Sequence, residues 1–321
     1  MGEGDRPVPR PGESLVAVSA VGICGSDLHW YAEGGIAAAR IGRPLVLGHE
    51  FSGTVLGGEL DGLRVAVDPN HPCGRCDTCA GGLGNLCPDA CFAGHGATDG
   101  AMREYVAWPT RLLHPVPDQV SDVAAALLEP LGVALNAVEL GQVGVGSTVA
   151  VVGCGPIGLL LVRLGGLAGA GHLLAVEPLP HRRAAALDLG ADAAVGPGDD
   201  VDALVAQGAR GLADVVFDVA GGEESMATAL RVARPGGRVV VVGIPAADRI
   251  GISTVVARRK GLTVHFAQRT GNALPRALRL AEEGRVDLEA LASNRIALAD
   301  APRAFELAES RQGLKTVVVV R

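Results

Sequence analysis

Short runs of apolar residues alternate with longer amphipathic stretches from about residue 140 to residue 266. The runs are rich in Val and have the length of buried strands, whereas the stretches between them repeat their apolar residues at helical spacing. The pattern predicts strands at 148–152, 173–177, 215–219, 238–243 and 262–266, with helices at 156–168, 181–189 and 223–233. Strands and helices that alternate in this way are typical of a doubly wound parallel sheet.

The rest of the chain has a different pattern. Residues 1–130 contain short apolar runs separated by Gly and Pro, which predict strands at 14–20, 51–56, 64–67 and 105–108. The last segment predicts helices at 272–283 and 300–310 and a strand at 316–320. Because this segment does not continue the alternation, we assign it to the first domain. The sequence therefore predicts an α/β protein with a β-rich domain (1–130 and 267–321) and a parallel-sheet domain (131–266).

Composition limits the function classes that fit the chain. Its 321 residues are enough for two packed cores, and the net charge of −7 comes without a cationic block. We therefore expect neither nucleic acid nor an anionic membrane as the main partner. The most apolar stretch, 159–176, is interrupted by Arg163 and His172 and predicts a buried helix and strand. Seven cysteines without an apolar leader favour a cytoplasmic, reducing location and metal binding over disulfides.

Four of the cysteines have metal-ligand spacing. They follow the pattern C-x2-C-x2-C-x7-C and are Cys73, Cys76, Cys79 and Cys87. Four soft thiolates so close along the chain can surround one Zn²⁺ and leave no coordination position open. We therefore predict a structural zinc lobe at about residues 70–92. Cys91 and Cys154 are surplus to this count and are interpreted as ordinary small residues.

A glycine-rich turn follows the predicted strand at 148–152 and begins a helix. Its pattern, G-x-G-x-x-G, permits a tight turn, close approach of a pyrophosphate and packing of the helix on the strand. Glu177 ends the next predicted strand, where a carboxylate accepts hydrogen bonds from ribose hydroxyls and repels a 2′-phosphate. NAD is therefore preferred over NADP, although Arg183 lies nearby. The predicted cofactor contacts here are Gly153, Gly155, Pro156, Ile157, Gly158, Glu177 and Arg182.

Two further positions are predicted to contact the cofactor. Val242 and Gly243 end a predicted parallel strand, and ligands bind at the carboxyl edge of such sheets. Arg269 follows the last strand of the same domain and is predicted to reach the cofactor or the substrate.

A second set of metal-ligating side chains has no compact spacing. It consists of Cys24, His49, Glu50 and Glu129. One thiolate, one imidazole and one or two carboxylates suit Zn²⁺ and leave a position for water or substrate. An open zinc site lowers the pKa of a bound hydroxyl. Each residue by itself is equally compatible with a place in the core, and the long spacing does not bring them together.

The motifs in their order identify a family. The chain resembles the zinc-containing medium-chain dehydrogenase/reductase family over nearly its whole length, and the motifs that carry the resemblance are GICGSD, GHE, the four-cysteine loop, LEP and GCGPIG. The stretches GICGSDLHWY and LLEPLGVALNAV are most similar to the polyol branch, which includes sorbitol (L-iditol) dehydrogenase and L-idonate 5-dehydrogenase.

The resemblance implies a GroES-like catalytic domain, a Rossmann domain and two zinc ions per chain. It implies hydride transfer from a secondary alcohol (a polyol, sugar or sugar acid) to NAD, in a homodimer or homotetramer. Cys24, His49 and Glu50 would ligate or flank the catalytic zinc, and Glu129 would ligate it or hold its water. Asp27 would orient His49. Ser26 would begin a proton relay.

Alternatives remain open at this stage. Within the family they are L-threonine, glucose or amino-cyclitol dehydrogenases, which a substrate panel would distinguish. Outside this activity they are an NADPH-dependent reductase without catalytic zinc and a non-catalytic protein that binds nucleotide and zinc. Trp30, Phe92 and His95 are expected to line the substrate pocket, or else to be ordinary helix and loop residues.

Overall fold

The structure is a computed structural model that describes residues 2, 4–36, 39–198, 200–201, 203, 212–245 and 248–321. Contacts between residues divide the chain into two compact units. The first comprises Met1–Gly132 and Arg269–Arg321, and the second comprises Val133–Gln268. The boundaries that the sequence predicts lie two residues earlier in each case.

The first part of the chain is rich in short strands. These strands are β1 (Glu13–Gly22), β2 (Gly35–Ile36), β3 (Ala39–Arg40), β4 (Glu50–Leu56), β5 (Arg64–Val67), β6 (Asn70–His71), β7 (Cys91–Phe92), β8 (Tyr105–Pro109) and β9 (Leu113–Pro115). The helices are α1 (Gly25–Glu33), α2 (Asp77–Ala80), α3 (Asp122–Ala126) and α4 (Leu128–Gly141), with 3-10 turns at Gly84–Leu86 and Thr110–Leu112. Helix α4 begins in the first unit and continues into the second.

Strands and helices alternate in the second unit, as the apolar pattern predicts. The strands are β10 (Thr148–Val152), β11 (His172–Val176), β12 (Ala193–Val195), β13 (Ala213–Asp218), β14 (Ala233–Val241) and β15 (Thr263–Phe266). The described helices are α5 (Pro156–Leu167), α6 (Pro180–Asp188), α7 (Glu223–Val232) and α8 (Thr254–Lys260). Strand β14 begins before the predicted residue 238, because Ala233 already pairs with Ala213 ahead of a register shift.

The final segment returns to the first unit. It forms α9 (Leu274–Glu282), β16 (Asn294–Ala297), a 3-10 turn at Leu298–Asp300, α10 (Ala301–Glu309) and β17 (Thr316–Val319). Among the described residues, no helix is both long enough and apolar enough to cross a membrane. The apolar stretch 159–176 divides between α5 and β11.

The sheet of the first unit has β1 at its centre. In the described part of the chain it contains seven strands in the order β16-β17-β1-β4-β5-β9, with β8 also paired to β1. Strand β1 is buried along almost its whole length, because β8 covers its first half and β17 its last three residues. Its register with β4 shifts between Val18 and Ala20, where these neighbours change. Strand β1 therefore delivers Gly22 and the following loop directly opposite Glu50.

The second unit contains a parallel sheet. Its six described strands run in the order β12-β11-β10-β13-β14-β15. Their side chains are mostly Val, Ala and Leu, and those of the central strands are buried. Buried, nearly continuous apolar strands are typical of parallel sheets that are covered on both faces. The carboxyl ends of β10, β11 and β13 meet at one edge, where the glycine turn lies.

Candidate active site and structural metal site

Asp27 fixes the two loops that carry the first two candidate ligands. Its Oδ2 accepts a hydrogen bond from the N–H of Cys24 (2.9 Å), and its Oδ1 accepts one from the N–H of Gly48 (3.1 Å). Asp27 is completely buried in the first turn of α1. Two peptide segments more than twenty residues apart are therefore held by one carboxylate. This explains how Cys24 comes to lie beside the GHE segment.

Asp27 also faces the imidazole of His49. The distance from His49 Nδ1 to Asp27 Oδ1 is 3.3 Å. Burial by itself would raise the pKa of Asp27. The charge of His49 and the hydrogen bonds that Asp27 accepts keep that pKa below its usual value. A carboxylate on one ring nitrogen orients the ring and leaves the other nitrogen available to a metal. The arrangement has the contacts that such an orienting role requires.

The side chains of Cys24, His49 and Glu50 converge. One ligand atom from each lies within 4.8 Å of the other two. His49 and Glu50 are buried, and Cys24 is half-buried. Ligand atoms at about 2.0–2.3 Å from a tetrahedral Zn²⁺ are separated by about 3–4 Å, so the three atoms suit one ion with small adjustments. Sulfur, nitrogen and oxygen together are the donor set that Zn²⁺ accepts.

A buried lysine accompanies this group, and the sequence analysis missed it. Lys315 Nζ donates to Glu50 Oε1 (2.7 Å) and to the carbonyl oxygen of Ile23 (2.9 Å), and both charged side chains are buried. Burial alone would lower the pKa of Lys315, but Glu50 raises it above its usual value. The available signal was a charged residue directly before the predicted strand at 316–320, which consists of Thr316 and four valines. Its partner cannot be identified from sequence, because the two residues are 265 positions apart.

Glu129 lies close to this group but outside it. It is buried in the first turn of α4, and among the described residues it is not one of those whose ligand atoms approach within 4.8 Å. Burial raises the pKa of Glu129 to about 8; the charge of His49 opposes this shift and that of Glu50 adds to it. Glu50 is therefore the better placed of the two carboxylates. Glu129 is a neighbouring carboxyl that can hold or release a proton near neutral pH.

Aromatic rings cover one side of His49. Its ring centroid lies 5.2 Å from that of Phe92 and 5.1 Å from that of His95, and Trp30 lies 5.6 Å from His95. Trp30 Nε1 and His95 Nε2 are buried without a hydrogen-bond partner in the structure. Burial and the charge of His49 lower the pKa of His95 to about 3, so that ring is neutral. Ser26, also buried, lies in the first turn of α1.

The four-cysteine loop forms a compact cluster of sulfur atoms. The Sγ–Sγ distances are 3.4 Å for Cys76–Cys79, 3.9 Å for Cys76–Cys87 and 4.0 Å for Cys73–Cys79. Sulfur atoms about 2.3 Å from a tetrahedral Zn²⁺ are about 3.8 Å apart, so the cluster has the dimensions of a Cys₄ zinc site. Hydrogen bonds from backbone N–H groups lower the pKa of Cys73 to about 6, which favours the thiolate that binds metal.

Arg269 belongs to the first unit and contacts the edge of this loop. Its Nη1 donates to Asn70 Oδ1 (2.6 Å), and its guanidinium carbon lies 4.5 Å from the centroid of the Phe92 ring. These contacts bring it to the aromatic side of the candidate zinc site. The predicted contact with the cofactor stays a prediction. Asn70, a buried amide, is a second residue that the sequence analysis missed.

The glycine turn has a separate steric reason for each glycine. Gly153 has φ +94°, which favours glycine. A Cβ on Gly158 would collide with the carbonyl of Gly153, so only glycine lets α5 approach β10 this closely. A Cβ on Gly155 would meet only Arg182 Nη1, at 3.8 Å, so the space above this residue is otherwise open. Pro156 begins α5, so the N-terminus of the helix faces the turn.

Glu177 closes the other side of the turn. Its carboxylate is buried and accepts hydrogen bonds from the N–H of Cys154 (2.7 Å) and of Leu179 (3.0 Å). A carboxylate has about four acceptor positions, so ribose hydroxyls could still bind to it. Arg183 is turned away, because its Nη1 donates to the carbonyl oxygens of Glu177 and Pro178 at 2.8 Å each. Arg182 is therefore the basic residue nearer to the turn.

Val242 and Gly243 follow β14 at the same edge of the sheet. Their N–H groups donate to the carbonyl oxygen of Asp218, at 2.8 and 3.0 Å. These two N–H groups are therefore already bonded within the second unit. Contact of this segment with the nicotinamide end of a cofactor stays a prediction.

Comparison with known proteins follows the same division of the chain. The family described as Alcohol dehydrogenase GroES-like domain matches residues 10–118, and the family described as Zinc-binding dehydrogenase matches residues 156–283. Sorbitol dehydrogenase of Bacillus subtilis (strain 168) is 34% identical in an alignment of 314 positions, which covers 94% of this chain and 88% of that protein.

Solved structures agree with this assignment. L-idonate 5-dehydrogenase from Escherichia coli str. K-12 substr. MG1655 has a TM-score of 0.90 and 30% identity, over 96% of this chain and 91% of that one. A protein of Sinorhizobium meliloti 1021, crystallised with NADP, has a TM-score of 0.89 and 34% identity, over 98% and 94% of the two chains. The predicted GroES-like and Rossmann folds are thereby confirmed. The chain belongs to the zinc-containing medium-chain dehydrogenase/reductase family, in its polyol branch, and zinc and a nicotinamide nucleotide are the cofactors of this class.

Proposed function

We propose that this protein is a zinc-dependent dehydrogenase that oxidises a secondary alcohol group of a polyol, sugar or sugar acid to a ketone and reduces NAD to NADH. The convergence of Cys24, His49 and Glu50 within 4.8 Å carries this proposal. Cys24 follows β1, and His49 and Glu50 lie at the start of β4, so two separate segments supply these three residues. Lys315 and Asp27 pair with Glu50 and His49, but these pairs do not account for the approach of the Cys24 thiol. A shared metal ion explains their convergence.

The residues of the chain prepare the site for this chemistry. Zinc bound here would act as a Lewis acid on the substrate hydroxyl oxygen, and the nicotinamide ring would accept the hydride. Asp27 holds His49 in the orientation of a ligand, and Lys315 balances the charge of Glu50. Glu129 adds a ligand or holds water, and the Ser26 hydroxyl begins the route by which the alcohol proton leaves. Phe92 and Trp30 shield the site from solvent.

We propose a preference for NAD over NADP. Glu177 is held beside the glycine turn by two backbone N–H groups, and its charge repels a 2′-phosphate. Arg182, whose Nη1 lies near Gly155, is a basic group that would favour NADP, and a similar structure holds that nucleotide. The test compares kcat/KM for the two nucleotides. Glu177→Gln, which keeps the shape of the side chain and removes its charge, should reduce the preference for NAD; an unchanged ratio would contradict this role of Glu177.

A second zinc ion is proposed for Cys73, Cys76, Cys79 and Cys87, where it stabilises the lobe without taking part in the reaction. A homodimer or homotetramer and a cytoplasmic location are proposed from the family resemblance and from the cysteine content. The seven cysteines are unpaired in the structure, which is compatible with a reducing compartment.

The test of the function is an activity and metal measurement on one preparation. NADH formation, followed at 340 nm over a panel of polyols, sugars, sugar acids, threonine and amino-cyclitols, identifies the substrate class. We expect two zinc ions per chain in the wild type. Cys24→Ser should abolish turnover and leave one zinc ion, because the four-cysteine lobe is intact.

Cys91→Ser provides the matched control. Cys91 is exposed and belongs to neither cysteine group, so this variant should keep both its zinc content and its activity. Activity that survives in Cys24→Ser would remove this residue from the site. A wild-type protein with a single zinc ion and no alcohol oxidation would instead favour a non-catalytic nucleotide-binding protein.

A further inference from the structure

The four-cysteine lobe is anchored beside the candidate active site. The lobe lies within the first unit between β6 and β7, and Asn70 pairs with Phe92 across these two strands. Phe92 is the ring that lies against His49. Phe92, one of the residues that end the lobe, thus also lines the site. A change in the conformation of the lobe can therefore shift the Phe92 ring against His49.

Asn70 connects the lobe to Arg269 with both ends of its amide. Its Nδ2 donates to the carbonyl oxygen of Gly84 (3.2 Å), which also accepts a hydrogen bond from the N–H of Cys87 (3.2 Å). Its Oδ1 accepts a hydrogen bond from Arg269 Nη1 (2.6 Å). Asn70 is 5% exposed, so water does not replace these contacts easily. One buried amide therefore joins the backbone next to a zinc ligand to a cation near the active site.

Arg269 needs this support. Its φ of +55° lies in the left-handed region, which is uncommon for a residue other than glycine. Such conformations persist where the surroundings hold them, and they concentrate at functional sites. Here Asn70 holds one nitrogen of the guanidinium, and the Phe92 ring lies under its plane. Two residues that end the lobe therefore contact the guanidinium of Arg269.

The same segment has a second connection to the lobe and one to the catalytic helix. Asn272 Nδ2 donates to the carbonyl oxygen of Gly82 (3.2 Å), inside the four-cysteine loop. Thr270 is buried, and its Cγ2 lies 3.0 Å from where a Cβ on Gly132 would be. Gly132 lies in α4, less than one turn after Glu129. Residues 269–272 thus touch the lobe on one side and the helix of Glu129 on the other.

We propose that Asn70 is a positioning residue for the reaction. Through its hydrogen bond to the four-cysteine lobe, Asn70 holds Arg269 against Phe92 at the substrate side of the active site. The four-cysteine lobe then sets substrate affinity as well as local stability. This inference rests on the proposed function for its kinetic test. The hydrogen bonds themselves can be tested without activity.

The kinetic test is a double-mutant cycle between Asn70 and Arg269, with the alcohol that the panel identifies. Asn70→Ala should raise KM for this alcohol by about tenfold, the effect of losing one hydrogen bond to a charged group, and change kcat less. Arg269→Ala should raise KM at least as much. In the Arg269→Ala background, Asn70→Ala should add less than about a twofold change, because both act through one guanidinium. Effects that multiply, or an unchanged KM in Asn70→Ala, would overturn the proposal.

Two further variants separate positioning from general damage. Asn70→Asp keeps an acceptor for Arg269 and loses the donor to Gly84, so KM should rise, but by less than in Asn70→Ala, while the lobe releases zinc faster to a chelator. Asn272→Ala removes only the exposed connection to Gly82 and should leave KM nearly unchanged. A rise in KM of equal size in Asn70→Ala, Asn70→Asp and Asn272→Ala would indicate nonspecific loosening of the lobe and refute the role of Asn70.

Hydrogen exchange tests the same contacts independently of activity. In Asn70→Ala the amide of Ala273, which donates to the carbonyl oxygen of Thr270 (3.1 Å), should exchange about tenfold faster. The amides of β10 in the second unit serve as the control and should not change. If the wild type oxidises no alcohol, the proposed function fails, while this measurement still decides whether Asn70 holds Arg269 and the residues that follow it. Unchanged exchange at 270–273 would contradict it.

Discussion

Gly22 is the residue whose replacement tests the geometry of the candidate zinc site most directly. It ends β1 opposite Glu50 in the register of the antiparallel pair, and the side chain of Glu50 folds over it. A Cβ built on Gly22 would lie 3.2 Å from Cβ and Cδ of Glu50 and inside contact distance of Oε2. The carboxylate cannot move freely, because Lys315 holds it from the other side. Gly22→Ala must therefore displace Glu50 or part β1 from β4.

The expected cost comes from two sources. Overpacking of a filled interior costs about 1–3 kcal/mol, and a displaced carboxylate loses its hydrogen bond from Lys315, worth about 1.5–3 kcal/mol. The replacement of glycine by alanine offsets about 0.4–1 kcal/mol of this cost, because alanine lowers the conformational entropy of the unfolded chain. We therefore expect Gly22→Ala to lower the free energy of unfolding of the first unit by about 2–5 kcal/mol.

The two tryptophans make this measurement specific. Trp30 and Trp108 are both buried in the first unit, so urea unfolding followed by tryptophan fluorescence reports on that unit alone. Gly25→Ala is the matched control in the same motif. A Cβ at Gly25 would meet nothing within 4 Å, and its φ is not positive. The control should keep the wild-type stability or gain slightly, because alanine favours the helix that begins there.

Activity gives the second readout for Gly22→Ala. A displaced Glu50 no longer joins Cys24 and His49, so zinc content at the active site and turnover should fall together while the four-cysteine lobe keeps its ion. Equal stability in the Gly22→Ala and Gly25→Ala variants would refute the placement of Glu50 over β1. Normal turnover in Gly22→Ala would refute its place among the ligands.

Two other predictions concern buried charges. In the zinc-free protein, Lys315→Met should lower the free energy of unfolding by about 3–5 kcal/mol in the same urea assay, because it leaves the Glu50 carboxylate buried and unpaired. Lys315→Met/Glu50→Gln should recover most of this loss, and a double mutant as unstable as the single one would contradict the pairing. Burial raises the pKa of Asp68 to about 6, so the folded protein favours its proton and loses stability as the pH rises through 6. Asp68→Asn should therefore gain about 1 kcal/mol relative to wild type between pH 5 and pH 7.5, and a constant difference over this range would contradict the shift.

Most elements of the fold follow from local patterns. The alternation of apolar runs and amphipathic stretches predicts the strands and helices of 148–266 except β12 and α8, and most bounds in the structure differ by one or two residues. The four-cysteine cluster is equally local, because its ligands lie within residues 73–87 and a short loop restricts their separation. The glycine turn also spans only six residues, and the steric reason for its third glycine lies inside the turn itself. Interactions between residues that are close along the chain can therefore be predicted from the local sequence.

The structure supplies what depends on distant segments. The sequence names Cys24, His49 and Glu50 as candidate ligands, but only the sheet register and the bonds of Asp27 bring them within 4.8 Å. Glu129 is a case in which the sequence names a candidate ligand but does not give its position relative to the other three. Its place in the sequence motif does not reveal that it lies beside this group and outside it, with a pKa raised by burial to about 8.

Sequence by itself determined the family, the two kinds of domain and the residue types available for metal and nucleotide. Tertiary structure decided which charges and amides support them: Lys315 behind Glu50 and Asn70 beneath Arg269, pairs that are 265 and 199 residues apart. The physical reason is that a buried charge or amide requires a partner, but any chain segment that the fold brings near can provide one. Pattern and spacing record periodicity along the chain, and they carry no record of which distant side chain satisfies a buried polar atom.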